Sequence, residues 1–448
     1  MFNKNNNQSM TRSSMDFVLL ASIVLLVLTG FAIIFSALST SPLGQSTFRT
    51  HLIALPVAVG AFIFGWLFNY QIYSEQYKNL YIFTLALLIG VLVFGVTQRG
   101  SHSWFRFAGI SFQPAEICRI TAILISAAFL QRHKQNIKEF KVLFGLGLIL
   151  MPIFGLIMLQ PDFSSIVITA PALLVLLFAA GVDLFYFGLI IAFGAAAGFF
   201  PLAWTYLGLH PTLAQDSFIA QLILNLRDNW WYIAGFSFAI VFICWLFKQI
   251  LRQFRIDISA LLVFIVAGAT LAGFFSGLFV EKKMKPYQRK RVEVFLAPKS
   301  DPKGASYNIL QAQIAMGSGG VWGKGLFSGT QSRLGFVPER HTDFILAVLG
   351  EETGLFGTIG VLLLYLILLW RTTVTATLSS DLYGYLVCCG IFGIFFTYLI
   401  INFGMLIGLV PVAGIPLPFI SYGGSNLVAS MWAFGIVESI YRRRLSVV

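Results

Sequence analysis

Twelve stretches of the chain are apolar and long enough to read as membrane-crossing helices: approximately 16–38, 50–68, 80–97, 113–131, 141–159, 163–180, 184–206, 231–248, 257–280, 342–370, 384–410 and 424–441. A helix needs about 20 apolar residues to cover the roughly 30 Å hydrocarbon core, where its backbone must satisfy its own hydrogen bonds. Between the ninth and tenth stretches, residues 281–341 break the pattern with charged, glycine-rich sequence. The expected fold is an all-α polytopic membrane protein with about 12 transmembrane helices, one integral-membrane domain over 1–448, and one large loop at 281–341.

Composition agrees: 58% hydrophobic residues, 11% charged and a mean hydropathy of +0.83 lie far from the soluble average of roughly 25% charged. Residues 1–14 are polar and run into an apolar stretch longer than a secretory signal, without a small-residue cleavage site, so the first helix is expected to be retained. The four cysteines, Cys118, Cys244, Cys388 and Cys389, lie in or beside apolar segments without metal or disulfide spacing, and read as small core hydrophobes.

Charge sets the sides. Three clusters, Arg132/Lys134/Lys138/Lys141, Lys248/Arg252/Arg255 and Arg442/Arg443/Arg444, fall on the same side as Lys4 and Arg12 when twelve spans are counted, and Lys and Arg near helix ends stay cytoplasmic. Both termini are then cytoplasmic and the 281–341 loop is extracytoplasmic. That loop holds eleven Lys and Arg against four acids, a local +7 within a total of +12. Two readings fit an exported basic loop: attraction to anionic membrane lipids, or a site for an anionic ligand such as a phosphate. No nucleic-acid partner is expected.

Ionisable residues inside spans are costly and are functional candidates by default. Glu116 and Arg119 are three apart on one helix and share a face, which suits a structural ion pair as well as a substrate contact. Asp162, in Gln160-Pro161-Asp162, either caps the following helix or faces a ligand. Gly and Pro interrupt the apolar pattern at 402–426, so Pro416 to Ser425 reads as a re-entrant or cavity-lining turn, or as a plain loop. In the large loop, Asp301-Pro302-Lys303-Gly304 has turn chemistry. Asp301 is also the only acid between Glu293 and Glu339, and basic surroundings keep a carboxylate ionised. Gly317, Gly319, Gly320, Gly323 and Gly325 match neither the P-loop nor the dinucleotide spacing and read as flexible turns.

Together, Tyr287-Gln288-Arg289-Lys290-Arg291-Val292, Asp301-Pro302-x-Gly304-x-x-Tyr307, Gln311-x-Gln313, Gly329-Thr330-Gln331-Ser332, Pro338-Glu339-Arg340-His341-Thr342-Asp343-Phe344, Gly350-Glu351-Glu352-x-Gly354 and Pro416-x-Pro418 to Gly424-Ser425 resemble the SEDS family of bacterial shape, elongation, division and sporulation proteins. Thr330-Gln331-Ser332 and Arg340 resemble its elongation branch, RodA, more than its division branch, FtsW. The resemblance implies a peptidoglycan glycosyltransferase of the bacterial inner membrane that polymerises lipid II and releases undecaprenyl pyrophosphate. It implies Asp301 as the catalytic acid, acting as a base or through Mg²⁺ or Mn²⁺. Arg289, Arg291, Lys303 and Arg340 are the implied cations for the pyrophosphate, and Trp104, Glu116, Asp162, His341, Asp343, Glu351 and Ser421 would line or brace the cavity. A class B penicillin-binding protein, the transpeptidase, is the implied partner.

The chain departs from the family pattern in four places. Family members usually have ten spans, so residues 207–257 and the span after them read as an insertion adding two helices. Arg119 stands where the family commonly has Lys, Ser164-Ser165 where Gly-Thr is common, and Ser103 where Arg precedes Trp104. The competing function is a lipid II flippase using Glu116, Arg119 and Asp162 as a pathway; a transporter would be expected to show paired broken helices.

Overall fold

The computed structural model describes residues 15–40, 44–98, 101–107, 110–255, 259–297 and 305–445. Asp301 and Lys303 lie outside them. In chain order the first elements are α1 (Phe17–Leu38), α2 (Gly44–Leu67), α3 (Tyr70–Glu75), α4 (Tyr77–Phe94), β1 (Val96–Gln98), β2 (Ser101–Phe107), β3 (Ile110–Phe112), α5 (Pro114–Arg132), α6 (Phe140–Leu159) and α7 (Phe163–Ala179). Next come α8 (Leu184–Leu209), α9 (Pro211–Asp216), α10 (Phe218–Asp228), α11 (Trp230–Gln253), α12 (Ala260–Lys283) and α13 (Pro286–Leu296). The remainder is α14 (Ala305–Ser318), α15 (Thr330–Arg333), α16 (Ile345–Leu378), α17 (Leu382–Leu406) and α18 (Gly424–Arg442).

Among the described residues ten helices are long and apolar enough to cross a membrane: α1, α2, α4, α5, α6, α8, α11, α12, α16 and α17. The expected windows 163–180 and 424–441 are also helices, but α7 has 17 residues and α18 falls outside that set of ten, carrying Glu438 and Arg442. One feature departs from an all-helical reading. Between α4 and α5 the chain folds into a three-stranded antiparallel sheet, β1-β2-β3, with Trp104 opposite Val96 and Phe105 opposite Phe112.

The chain divides into two units: residues 1–181, 311–406 and 414–448, and residues 182–310 and 407–413. In the first unit α5 and α17 are the most enclosed spans, 83% and 72% buried, whereas lipid-facing helices such as α4 show most of their apolar surface. Small residues let helices touch. A Cβ on Gly435 of α18 would sit 2.4 Å from the Phe62 carbonyl oxygen of α2, the backbone approach that drives helix association where lipid is as apolar as leucine. The cysteines are free, with Cys118 and Cys388 buried.

The segment after α17 contains no helix until Gly424, yet Ile415, Leu417, Phe419, Ile420 and Ser421 are buried. Tyr365 of α16 donates to the Pro418 carbonyl, and Gly30 of α1 leaves room for the Phe419 and Ile420 backbone. Irregular backbone is here packed in protein, the condition under which it is tolerated at membrane depth.

In the second unit α8 and α12 pack closely, with Gly273 of α12 against the Phe193 carbonyl of α8. A cluster of Trp204, Leu226, Phe274 and Leu278 joins α8, α10 and α12. No residue of α11 is buried; its apolar sides suit lipid, with Trp230, Trp231 and Tyr232 at one end and Lys248 and Arg252 at the other.

Candidate active site

The two intramembrane charges on α5 find each other. Arg119 Nη1 lies 2.7 Å from Glu116 Oε2, and both side chains are buried. The i, i+3 spacing makes the pair, and three other helices complete it. Arg119 Nη2 donates to Ser165 Oγ of α7 at 3.1 Å, and Arg119 also donates to the Tyr398 hydroxyl of α17. Tyr398 donates to Glu116 at 3.2 Å, while Asn426 Nδ2 of α18 donates to Glu116 at 3.2 Å and to Tyr398 at 2.9 Å.

Asp162 belongs to the same network. It caps α7 by accepting from the Ser165 amide at 3.3 Å, and it accepts from Ser165 Oγ at 2.6 Å and Gln113 Nε2 at 2.7 Å. The capping and cluster readings of Asp162 therefore both hold. A buried ion pair is tolerable only when its remaining donors and acceptors are met, and these neighbours meet nearly all of them; Arg119 Nε is the exception. The ensemble ties α5, α7, α17 and α18 together.

A second cluster surrounds Glu351 at the start of α16. Its fully buried carboxylate accepts from Lys324 Nζ at 2.8 Å, Thr330 Oγ1 at 3.1 Å, the Gln331 amide at 2.8 Å and the Ser332 amide at 2.9 Å. Lys324 also reaches Ser318 Oγ and Thr330 Oγ1, each at 2.7 Å. The 318–333 segment is thus strapped onto α16. The backbone explains how: α16 breaks at Gly354, φ 66°, which strips the next amides of helical partners. Leu355 and Phe356 donate instead to Gly320 O and Val321 O, while Lys324 and Gly325 donate to Glu351 O and Glu352 O.

The flexible-turn reading of the glycines is therefore incomplete. A Cβ on Gly319 would lie 2.0 Å from Gly350 O and one on Gly323 2.2 Å from Glu352 O, so these two are there for close approach.

Arg340 extends this cluster, donating to the Ser332 carbonyl and, at 3.0 Å, to Thr40 Oγ1; burial lowers its guanidinium pKa from the ordinary value. His341 accepts from the Tyr422 amide at 2.8 Å through its carbonyl, and its ring meets Tyr422 at 5.6 Å. Ser421 Oγ accepts from the Leu417 amide at 2.9 Å, bracing the irregular segment. Asp343 is buried just before α16, and Trp104 is half-buried in β2. In the other unit, Arg289 of α13 pairs with Glu281 at 2.7 Å, and Arg291 is half-buried on the same helix.

The structure thus joins Glu116 to Asp162, Glu351 to Arg340 through Ser332, and His341 to Ser421 through Tyr422. Trp104 instead pairs with Val96 in the β1-β2 ladder. Tyr398, Asn426 and Lys324 were not among the expected site residues; a lone Tyr or Asn in an apolar span was the available signal. Among the described residues no group of three or more His, Cys, Asp or Glu could hold a metal.

Comparison with known proteins decides the family. The FtsW/RodA/SpoVE cell cycle protein model matches residues 15–241 and 235–445. The chain belongs to this family. It is 33% identical to peptidoglycan glycosyltransferase MrdB of Escherichia coli K12 over 376 residues, 84% of this chain and 80% of the relative. It is 31% identical to peptidoglycan glycosyltransferase RodA of Treponema pallidum over 440 residues, 97% of this chain and 99% of that one. In fold it matches a chain of a peptidoglycan synthase complex at TM-score 0.65 and 23% identity, covering 97% and 99% of the two chains. Thermus thermophilus RodA gives 0.58 and 21%, covering 97% and 98%. SEDS is the same family seen in the motifs, and this SEDS chain is a multi-pass membrane protein.

Proposed function

We propose that this chain is a peptidoglycan glycosyltransferase that polymerises lipid II into β-1,4-linked glycan during cell elongation. The observation that carries the reading is its alignment, nearly end to end, with a relative named peptidoglycan glycosyltransferase RodA. The acceptor GlcNAc 4-hydroxyl attacks C1 of the donor MurNAc, the bond from C1 to the pyrophosphate oxygen breaks, and undecaprenyl pyrophosphate leaves. Asp301 takes the hydroxyl proton or orients that hydroxyl; general-base help contributes about 10²–10⁴-fold.

Positive charge must face the leaving pyrophosphate. Arg289, Arg291, Lys303 and Arg340 are the candidate sources; Arg289 pairs with Glu281 and Arg340 donates to the Ser332 carbonyl. Glu116, Asp162, Glu351 and Ser421 act as braces of helices and strap, and His341, Asp343 and Trp104 as cavity residues. Mg²⁺ or Mn²⁺ at Asp301 would supply charge stabilisation, and no step depends on it here.

The sidedness rests on the basic clusters: twelve spans put both termini in the bacterial cytoplasm and residues 281–341 outside. The two helices we take as added to a ten-span core, α11 and α12, fall within residues 182–310. A class B penicillin-binding protein is the proposed partner, supported by a fold match whose solved structure concerns coordination of polymerisation and crosslinking in a synthase complex.

The test is polymerisation of purified lipid II by the full-length protein with its transpeptidase and Mn²⁺, wild type against Asp301→Ala. Glycan from wild type and none from a folded variant is expected. Equal product would remove Asp301 from the chemistry, and lipid II crossing vesicles without polymer would favour a flippase.

A further inference from the structure

The insertion has a physical connection to the catalytic region. In α10, Leu226 is buried against Trp204 of α8 and Phe274 and Leu278 of α12, and Trp204 Nε1 donates to the Ile223 carbonyl at 2.7 Å. The next residue, Arg227, places Nη2 3.1 Å from Glu281 Oε1. Phe274, Leu278 and Glu281 stand at i, i+4 and i+7, one stripe of α12. The apolar cluster therefore fixes α10 where Arg227 meets the carboxylate at the stripe's end.

The same Glu281 oxygen accepts from Arg289 Nη2 of α13 at 2.7 Å. Glu281 is only 4% exposed, while the Arg227 and Arg289 side chains keep 34% and 41% of their surface. A buried carboxylate needs its partners, and removing one leaves charge poorly compensated. α13 also packs on α8, and Asp301 follows five residues after its last residue, Leu296.

We infer that Arg227 is a positioning residue: through Glu281 and Arg289, the inserted α10 holds α13, the helix that precedes Asp301 in the chain. This deepens the glycosyltransferase reading and rests on it. Arg289 then serves the brace and is not a pyrophosphate ligand. Arginine suits the role because its planar fork lets two guanidiniums approach one carboxylate at fixed angles, which a lysine reproduces only as a point charge.

The test compares full-length wild type, Arg227→Gln, Arg227→Lys, Glu281→Gln and the Arg227→Gln/Glu281→Gln double variant. Turnover of lipid II gives kcat and KM. Spin labels at Phe185→Cys of α8 and Lys290→Cys of α13, with Cys244 and Cys389 replaced by alanine, give the distance distribution between the helices. Arg227→Gln is expected to broaden that distribution and lower kcat roughly tenfold with KM within about twofold, because small misplacements of reacting groups carry such costs. Arg227→Lys recovers only part of the loss, and Arg227→Gln adds nothing once Glu281→Gln is present.

An unmoved α13, an unchanged kcat, or an effect on KM alone would overturn the brace, as would additive losses in the double variant. If wild type makes no glycan the glycosyltransferase reading fails. The distance measurement then still decides whether Arg227 holds α13.

Discussion

Replacing Glu351 with glutamine separates a brace from a ligand. The wild-type carboxylate is fully buried and takes four donors: Lys324, Thr330 and the Gln331 amide on Oε1, and the Ser332 amide on Oε2. Glutamine keeps the volume and one acceptor. In its better orientation the amide oxygen takes the Oε1 place, and its NH₂ then faces the Ser332 N–H, donor against donor. One charge-assisted hydrogen bond is worth about 1.5–3 kcal/mol. Lys324 also loses its counter-charge, a smaller loss because its side chain is 26% exposed and keeps Ser318 and Thr330. The sum is about 2–4 kcal/mol for local opening of the strap. At 1.4 kcal/mol per tenfold, the Ser332 amide should exchange roughly 30- to 1,000-fold faster in native-state hydrogen exchange. Exchange within about threefold of wild type, accompanied by a raised KM for lipid II, would refute the brace and return Glu351 to the substrate.

Gly323→Ala should destabilise by about 2–6 kcal/mol, combining left-handed backbone strain with overpacking, because Gly323 has φ +81° and its Cβ would lie 2.2 Å from Glu352 O. Gly317→Ala, with nothing within 4 Å, should change stability by less than about 0.5 kcal/mol in the same SDS-titrated unfolding; equal effects would contradict the close-approach argument. Glu116→Gln and Arg119→Met should each cost about 3–5 kcal/mol, and the double variant less than their sum, because each single change strands a buried partner. Additive losses in that cycle would mean that the pair is not one unit.

Much of the fold was legible because hydrophobic length is a strong signal. The windows around α1, α5, α6 and α8 fall within a few residues of the helices found, and Glu116 and Arg119 announce their pairing by an i, i+3 spacing on one helix. The partners that complete the pair were not legible: Tyr398 and Asn426 lie 282 and 310 residues from Glu116, and only packing brings them there. The glycines near 319–323 fitted no phosphate motif, and what they do depends on the broken turn of α16, which no local pattern specifies. The β1-β2-β3 sheet hid for another reason. Its outer strands have three residues each, too short for a period-two pattern to stand out.

The large loop shows how a charge count and a binding site can part company. Its +7 suggested many cations available to an anionic ligand, but several are committed: Arg289 to Glu281, Lys324 to Glu351, Arg333 to the Phe327 carbonyl and Arg340 to the Ser332 carbonyl. The commitments are of two kinds with different electrostatic consequences. Pairing with Glu351 cancels the Lys324 charge and Glu281 offsets one of the two guanidiniums it holds, whereas donating to a carbonyl fixes a guanidinium in place and leaves its charge intact. Arg333 and Arg340 therefore keep their positive charge, and each guanidinium has N–H groups beyond the one or two that bond to Phe327, Ser332 and Thr40. The anchors fall on both flanks of the 298–304 segment: Arg289 holds α13 before it, and Gln313 of α14 donates to the Leu406 carbonyl after it, at 2.9 Å.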